Sequence, residues 1–232
     1  MCLEGEPQAR RKGMKLIMKI LDDLKINTKN INLYKTAFTH TSYSNEHDNC
    51  ESYERLEFLG DAVLELIISD YLYNEKHLEE GTMTKMRASY VCEEACATYA
   101  KKLGFDKYIL LGSGETSANV TILADVFESF VGATYLDQGF DFVNNMVLKI
   151  IVKYINNGVD FLHDYKSELQ ELVQTVKKSV VYEIIDEQGP AHDKTFTCQV
   201  RVDDIIMGKG IGSSKKQAEQ MAAKMALSKQ VK

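Results

Sequence analysis

The sequence predicts an α+β chain of two domains, the first all-α and the second a compact α-β-β-β-α unit. Three observations carry that expectation. Apolar residues recur at helical spacing from Met14 to about Asn156, with no confident strand among them. At Asn156-Asn157-Gly158 the pattern breaks. Beyond it Thr195–Val202 alternates, with Phe196, Cys198, Val200 and Val202 on one side, as a half-buried strand does. The expected divisions are a disordered tail over 1–13, the helical domain over 14–157, a linker over 158–162 and the mixed domain over 163–232.

The elements follow in order. Leu16, Ile17, Ile20 and Leu21 form the face of a first helix, which stops at the polar run Asn27–Asn30. A second helix is expected from about Leu33 to Phe38. The strongest segment is Tyr53–Tyr73, where Leu56, Leu59, Val63, Leu66, Ile67 and Tyr71 alternate with acids at helical spacing. Gly60 inside it costs ~1 kcal/mol relative to Ala, so it needs a reason: close helix approach, ligand access or a plain packing contact. Further helices are expected over Thr82–Leu103, Thr121–Gln138 and Phe140–Tyr154. In the second domain a helix over Tyr165–Thr175 leads into strands over Val180–Asp186, Thr195–Val202 and Ile205–Ile211, with Asp203-Asp204 as a turn. The last helix opens on a capping box, Ser214-Lys215-Lys216-Gln217, and carries the stripe Ala218, Met221, Ala222, Met225.

Composition narrows the function classes. At 232 residues, with 44% hydrophobic and 27% charged residues, the chain suits two soluble domains. No apolar run approaches the ~20 residues needed to span a bilayer, and the polar start lacks a signal-peptide core, so a cytoplasmic location is expected. The five cysteines (Cys2, Cys50, Cys92, Cys96, Cys198) are scattered and form no CxxC pair. They read as buried thiols in a reducing compartment rather than a zinc site. The net charge of −6 argues against a nucleic-acid partner until it is divided. From Phe161 onward there are 11 Lys/Arg against 10 Asp/Glu, so the acidity lies in the larger helical part. Carboxylates that hold metal ions would present a far less negative field there.

Glu54, Glu57 and Asp61 fall at i, i+3 and i+7 and so lie within about 60° of one another on one helical face. Like charges on an otherwise apolar helix repel, and burial raises the cost. Arg55 points about 100° away, and no lysine shares the stripe. Asp125 and Glu128 likewise interrupt the apolar run Ile122–Phe130. Two such helices face to face would gather four or more carboxylates, an oxygen-only set that suits Mg²⁺ or Mn²⁺ and phosphate substrates. Such a metal could activate water against a phosphodiester. A solvated acidic face is the competing reading. Glu65, on the same stripe, reads as structural or surface.

At the other end of the chain, Ser213-Ser214-Lys215-Lys216 places two ammonium groups at a helix N-terminus, where free N–H groups and the dipole already favour an anion. A plain solvated lysine pair is the alternative. The polar helix positions Ser167, Gln170, Glu171 and Gln174 could hydrogen-bond ribose hydroxyls, and His192 sits in the loop Gln188–His192. A polar helix, a loop and a basic helix start on one face fit A-form RNA, read by shape and 2′-OH contacts over about 16 base pairs.

These residues resemble a known family. Glu54-Arg55-Leu56-Glu57-Phe58-Leu59-Gly60-Asp61-Ala62-Val63-Leu64 is similar to the signature helix of bacterial ribonuclease III. His40-Thr41-Ser42-Tyr43-Ser44-Asn45-Glu46 and Leu123-Ala124-Asp125-Val126-Phe127-Glu128 resemble two further motifs of that family, in the family's order. The C-terminal unit looks like a double-stranded RNA-binding domain, with Gly189–His192 and Ser214–Glu219 as its hallmarks. The resemblance implies a homodimeric, Mg²⁺-dependent endonuclease that cuts both strands of duplex RNA. It would leave 5′-phosphate and 3′-hydroxyl ends with a short 3′ overhang. It also implies that Glu57, Asp61, Asp125 and Glu128 form the metal site, with Asp61 and Glu128 catalytic, and that Mn²⁺ substitutes for Mg²⁺. Glu54 and Glu80 match acids near the cleavage centre. Ribosomal RNA precursors and structured messenger RNA are the implied substrates.

The chain departs from the pattern at Ser113, where the family often has Lys, and in a shortened loop over Ser113–Thr121; both bear on RNA grip rather than chemistry. Two other classes remain to be separated from the enzyme. One is a non-catalytic duplex-RNA-binding regulator that uses the nuclease fold for dimerisation. The other is a metal enzyme for small phosphates, which would leave the second domain without use.

Overall fold

The computed structural model describes residues 17–48, 50–115, 117–189 and 194–230. The expected tail over 1–13, and His192 with its neighbours 190–193, lie outside the described residues. The chain divides into two units between Leu162 and His163.

In the first unit α1 covers residues 17–23, where Ile17, Ile20 and Leu21 are buried. α2 (Ile31–Ala37) and the short α3 (Thr41–Glu46) lead to α4 (Glu54–Lys76), the longest helix. α5 (Glu80–Val91), α6 (Glu93–Leu103), a 3-10 turn (Phe105–Lys107), α7 (Val120–Gln138) and α8 (Phe140–Asn156) complete it. Helical periodicity predicted most of these, because apolar residues at i, i+3 and i+4 must meet a neighbour. α7 lies centrally, packed by α2, α4, α6 and α8, and buries residues on nearly all sides. Tyr34, Phe38, Phe105, Phe127 and Phe130 form an aromatic cluster beneath it. Phe161, within the expected linker, packs against Tyr90, Tyr99 and Tyr154 of this unit.

The expected single helix over Thr82–Leu103 is two helices, broken at Cys92, which is extended at φ −69° and ψ 162°. Side chains satisfy the carbonyls that the break releases. Cys92 Sγ donates to Ser89 O, Tyr99 Oη to Tyr90 O at 3.2 Å, and Cys96 Sγ to Val91 O. No Gly or Pro marks the break, so the sequence pattern runs through it unaltered.

The second unit is α9 (Tyr165–Thr175), β1 (Val180–Gln188), β2 (Thr195–Val202), β3 (Ile205–Gly212) and α10 (Lys215–Gln230). The strands form an antiparallel sheet in the order β1-β2-β3. Asp203 and Asp204 both have positive φ, 45° and 65°, as a tight two-residue hairpin requires. The apolar stripe of α10 is corrected here. Ala218, Ala222, Ala223 and Ala226 are buried, whereas Met221 and Met225 are exposed. The reason is the close approach of β3: a β-carbon at Gly208 or Gly210 would lie 2.2 Å from the Ala222 backbone, so only alanine fits the seam.

Candidate active site

The acids are brought together by a crossing of two helices without side chains between them. A β-carbon on Gly60 of α4 would lie 1.8 Å from the carbonyl oxygen of Glu128 in α7. One on Gly132 would lie 2.4 Å from the carbonyl oxygen of Leu56. Close helix approach is therefore the reason for Gly60. Glu57 and Asp61 flank Gly60 on α4, while Asp125 and Glu128 lie on the facing stretch of α7. Asn119 starts α7 by accepting a hydrogen bond from Ile122 N at 2.9 Å, which sets the helix entry one turn before Asp125.

The electrostatics follow from that crossing. Burial pushes Glu128 up to about 8, and the charges of Asp61, Asp125 and Glu57 add to the rise. Glu57 is pushed up to about 6 by burial and then by Asp125, Glu54 and Asp61. Asp125 is raised by burial against a hydrogen bond from Tyr53 that lowers it. Glu57, Asp125 and Glu128 are partly buried, with the exposed Asp61 beside them; carboxylates gathered in this way are short of positive charge, and their donors are all oxygen. That donor chemistry fits a hard divalent cation. Among the described residues no three such side chains are drawn up to ligate one ion, so the four carboxylates are within electrostatic reach without being closed to ligating geometry.

The remaining acids differ. Glu54 is exposed in the first turn of α4, accepts a hydrogen bond from Ser52 Oγ at 3.1 Å, and adds its charge to that on Glu57. Glu80 stands at the start of α5, bonded by Thr84 Oγ1 at 2.9 Å, and lines a separate recess of about 350 Å³ with Tyr73 and Arg87. Within one chain it is not among the groups named as shifting Glu57, Asp125 or Glu128.

Sequence reasoning missed two supports of this site and one of a loop in the same unit. Tyr53 reaches Asp125, and His40 packs its ring on Tyr53, with ring centroids 5.7 Å apart. Cys96, fully buried on α6, lies within electrostatic reach of Glu128. Glu46 accepts from Ser113 N at 2.8 Å and from Ser113 Oγ at 2.8 Å, pinning the start of the short loop after Gly112. Only the order of the His40–Glu46 motif hinted at this, because each contact joins residues far apart in sequence.

In the second unit Ser167, Gln170 and Gln174 are exposed along α9. The Ser167 hydroxyl donates to Asp164 Oδ2 at 2.6 Å, leaving its lone pairs to accept from a ribose hydroxyl. Asp164, which also accepts from Ser167 N, is held down to about 2 by these bonds. Ser214, Lys215 and Lys216 are exposed at the start of α10. The expected capping box forms with one change. Gln217 N donates to Ser214 Oγ at 3.2 Å, but Gln217 Oε1 reaches back to Ser213 N at 2.7 Å rather than to Ser214. Lys215 lies over the Phe196 ring.

Comparison with known proteins gives the family. A family model described as Ribonuclease-III-like matches residues 30–155, and one for the double-stranded RNA binding motif matches residues 165–230. Ribonuclease 3 of Listeria monocytogenes is 50% identical over 211 residues, covering 87% of this chain and 92% of the relative. Ribonuclease 3 of the Aster yellows witches'-broom phytoplasma is 45% identical over 223 residues, covering 94% of each. Among solved structures, the nuclease domain of ribonuclease III from Campylobacter jejuni is 35% identical with a TM-score of 0.55. It covers 59% of this chain and 96% of that one. Facing acids in a helical domain, joined to a duplex-RNA-binding unit, define an endoribonuclease of double-stranded RNA. The chain belongs to the ribonuclease III family, whose enzymes depend on a divalent metal. Among the described residues no helix is long and apolar enough to cross a membrane.

Proposed function

We propose that this chain hydrolyses both strands of duplex RNA, leaving 5′-phosphate and 3′-hydroxyl ends with a short 3′ overhang. Glu57, Asp61, Asp125 and Glu128 hold Mg²⁺, with Mn²⁺ as a substitute, and Asp61 and Glu128 act at the reacting phosphate. The cation, when bound, supplies positive charge at the phosphate and lowers the pKa of the attacking water. The water oxygen bonds to phosphorus as the bond from phosphorus to the 3′-oxygen breaks. The attacking water loses a proton, and the departing 3′-oxygen takes one up. Burial, and then the charges of Asp61, Asp125 and Glu57, oppose the ionisation of Glu128 until a countercharge arrives. The observation that carries this reading is the Gly60 crossing, which lays Glu57 and Asp61 against Asp125 and Glu128.

The duplex is gripped by Ser167, Gln170 and Gln174 of α9, His192, which falls between β1 and β2 in sequence, and Ser214, Lys215 and Lys216 at the start of α10. Phosphate contacts from the lysines position the duplex, while the polar helix reads 2′-hydroxyls. Ribosomal RNA precursors and structured messenger RNA, in the cytoplasm, are the substrates of this reading.

A homodimer supplies one site per strand. It is supported by an apolar stripe on α4 that stands exposed among the described residues, with Phe58, Leu66 and Tyr73 at 82%, 54% and 72%. The Campylobacter nuclease domain has a region involved in its own dimer formation. Sedimentation of Phe58→Asp tests it: a monomer is expected, and an unchanged dimer would contradict it. The reaction itself is tested on a long uniform RNA duplex with Mg²⁺, with the product ends mapped. Duplex cuts with 5′-phosphate ends are expected. Binding without cutting would leave the chain a regulator built on a nuclease fold.

A further inference from the structure

Tyr53 stands immediately before α4 and is 3% exposed, yet its side chain serves the other acid-bearing helix. Its hydroxyl donates to Asp125 Oδ2 at 2.9 Å, across 72 residues of sequence. Its carbonyl oxygen accepts from Ser129 Oγ, one turn further along α7, at 3.3 Å. Its own N–H donates to Thr39 O at 2.9 Å, and the His40 ring packs on it. One residue thus joins three segments, with main chain and side chain each holding α7.

The effect on Asp125 follows from geometry. A carboxylate on an exposed helix turns freely about its terminal torsion. Here one oxygen is bonded to a phenol that is itself fixed at the N–H, the carbonyl and the ring. The other oxygen is thereby set in direction, and the phenol supplies a donor where the site has an excess of negative charge. Groups that orient a ligand in this way contribute to metal affinity without touching the metal, typically by a factor of about 10–100.

We propose that Tyr53 is a positioning residue of the metal site, holding Asp125 Oδ2 so that the remaining oxygen is presented to the cation. The proposal rests on the reading of Asp125 as a metal ligand, and its test separates the two. Tyr53→Phe keeps the ring and its packing and removes only the donor. Mn²⁺ binding to the full chain is measured calorimetrically for the native protein, Tyr53→Phe and Asp125→Asn, with melting in EDTA as the control on folding. The Mg²⁺ dependence of duplex cleavage is read as half-saturating concentration against the rate at saturation.

The expected result is a Kd for Mn²⁺ about tenfold weaker in Tyr53→Phe, with a matching rise in the half-saturating Mg²⁺ concentration. The rate at saturating Mg²⁺ then recovers to within a few-fold of native. Duplex binding in Ca²⁺ is unchanged, because the phenol hydroxyl is engaged with Asp125. Native affinity in Tyr53→Phe, with binding lost in Asp125→Asn, would overturn the role of Tyr53 alone. Native affinity in both variants would overturn the ligand assignment and this role with it.

Discussion

Gly60 of α4 and Gly132 of α7 face each other backbone to backbone: a β-carbon on Gly132 would stand 3.1 Å from the Gly60 nitrogen. Nothing but hydrogen fits between the two helices at that point, and the four site acids flank it. Gly60→Ala must therefore spread the crossing. A loss of roughly 1–3 kcal/mol is expected from overpacking, with at least a tenfold loss of cleavage as the acids separate. Melting and duplex cleavage check both. Gly132→Ala relieves itself by the same spreading, so the double variant loses less than the two single losses together.

The crowded acids set a pH dependence. Glu128 is pushed up to about 8 from an ordinary value of 4.5, so between those limits the folded state binds more protons than the unfolded chain. Its contribution to stability is complete below pH 4.5 and is lost as pH rises through 8. In EDTA, Glu128→Gln therefore melts above the native protein at pH 8, and the difference shrinks toward pH 5. An effect on the order of 1–2 kcal/mol corresponds to about 2–4 °C per kcal/mol for a chain of this size. Saturating Mg²⁺ raises the native melting point and closes the difference.

Glu46 holds the loop after Gly112 by three hydrogen bonds to Ser113. Glu46→Ala is expected to cost about 1–2 kcal/mol and to speed hydrogen exchange at Ser113. Mn²⁺ affinity should stay native, since Glu46 is not among the groups that shift Glu57, Asp125 or Glu128.

Lys215 and Lys216 are exposed at a helix start, where phosphate is favoured. Replacing either with Ala should weaken duplex binding in Ca²⁺ and reduce the slope of log affinity against log salt by about 1. Gln170→Ala should weaken binding with the slope unchanged, because it carries no charge.

The parts of this molecule that could be read in the sequence are those where periodicity and chemistry coincide on one element. Glu57 and Asp61 stand out because they interrupt the apolar faces of α4, as Asp125 and Glu128 do on α7. The strand Thr195–Val202 stands out by alternation. What could not be read depends on contacts between distant residues. The break at Cys92 is stabilised by Tyr99 and Cys96, whose side chains take up carbonyls that no pattern marks as free. Tyr53 reads as the polar-tipped first residue of a helix, and only the fold brings it to Asp125. Met221 and Met225 look like core by spacing, but Gly208 and Gly210 bring β3 so close that alanine fills the seam.

The central claim is that the acids gathered at the Gly60 crossing perform the cleavage. It is tested most directly by comparing native protein with Glu128→Gln on a long RNA duplex, with cutting followed in Mg²⁺ and binding in Ca²⁺. The account predicts that the native chain cuts and that the variant binds with native affinity and does not cut. Cutting by Glu128→Gln at the native rate would contradict it.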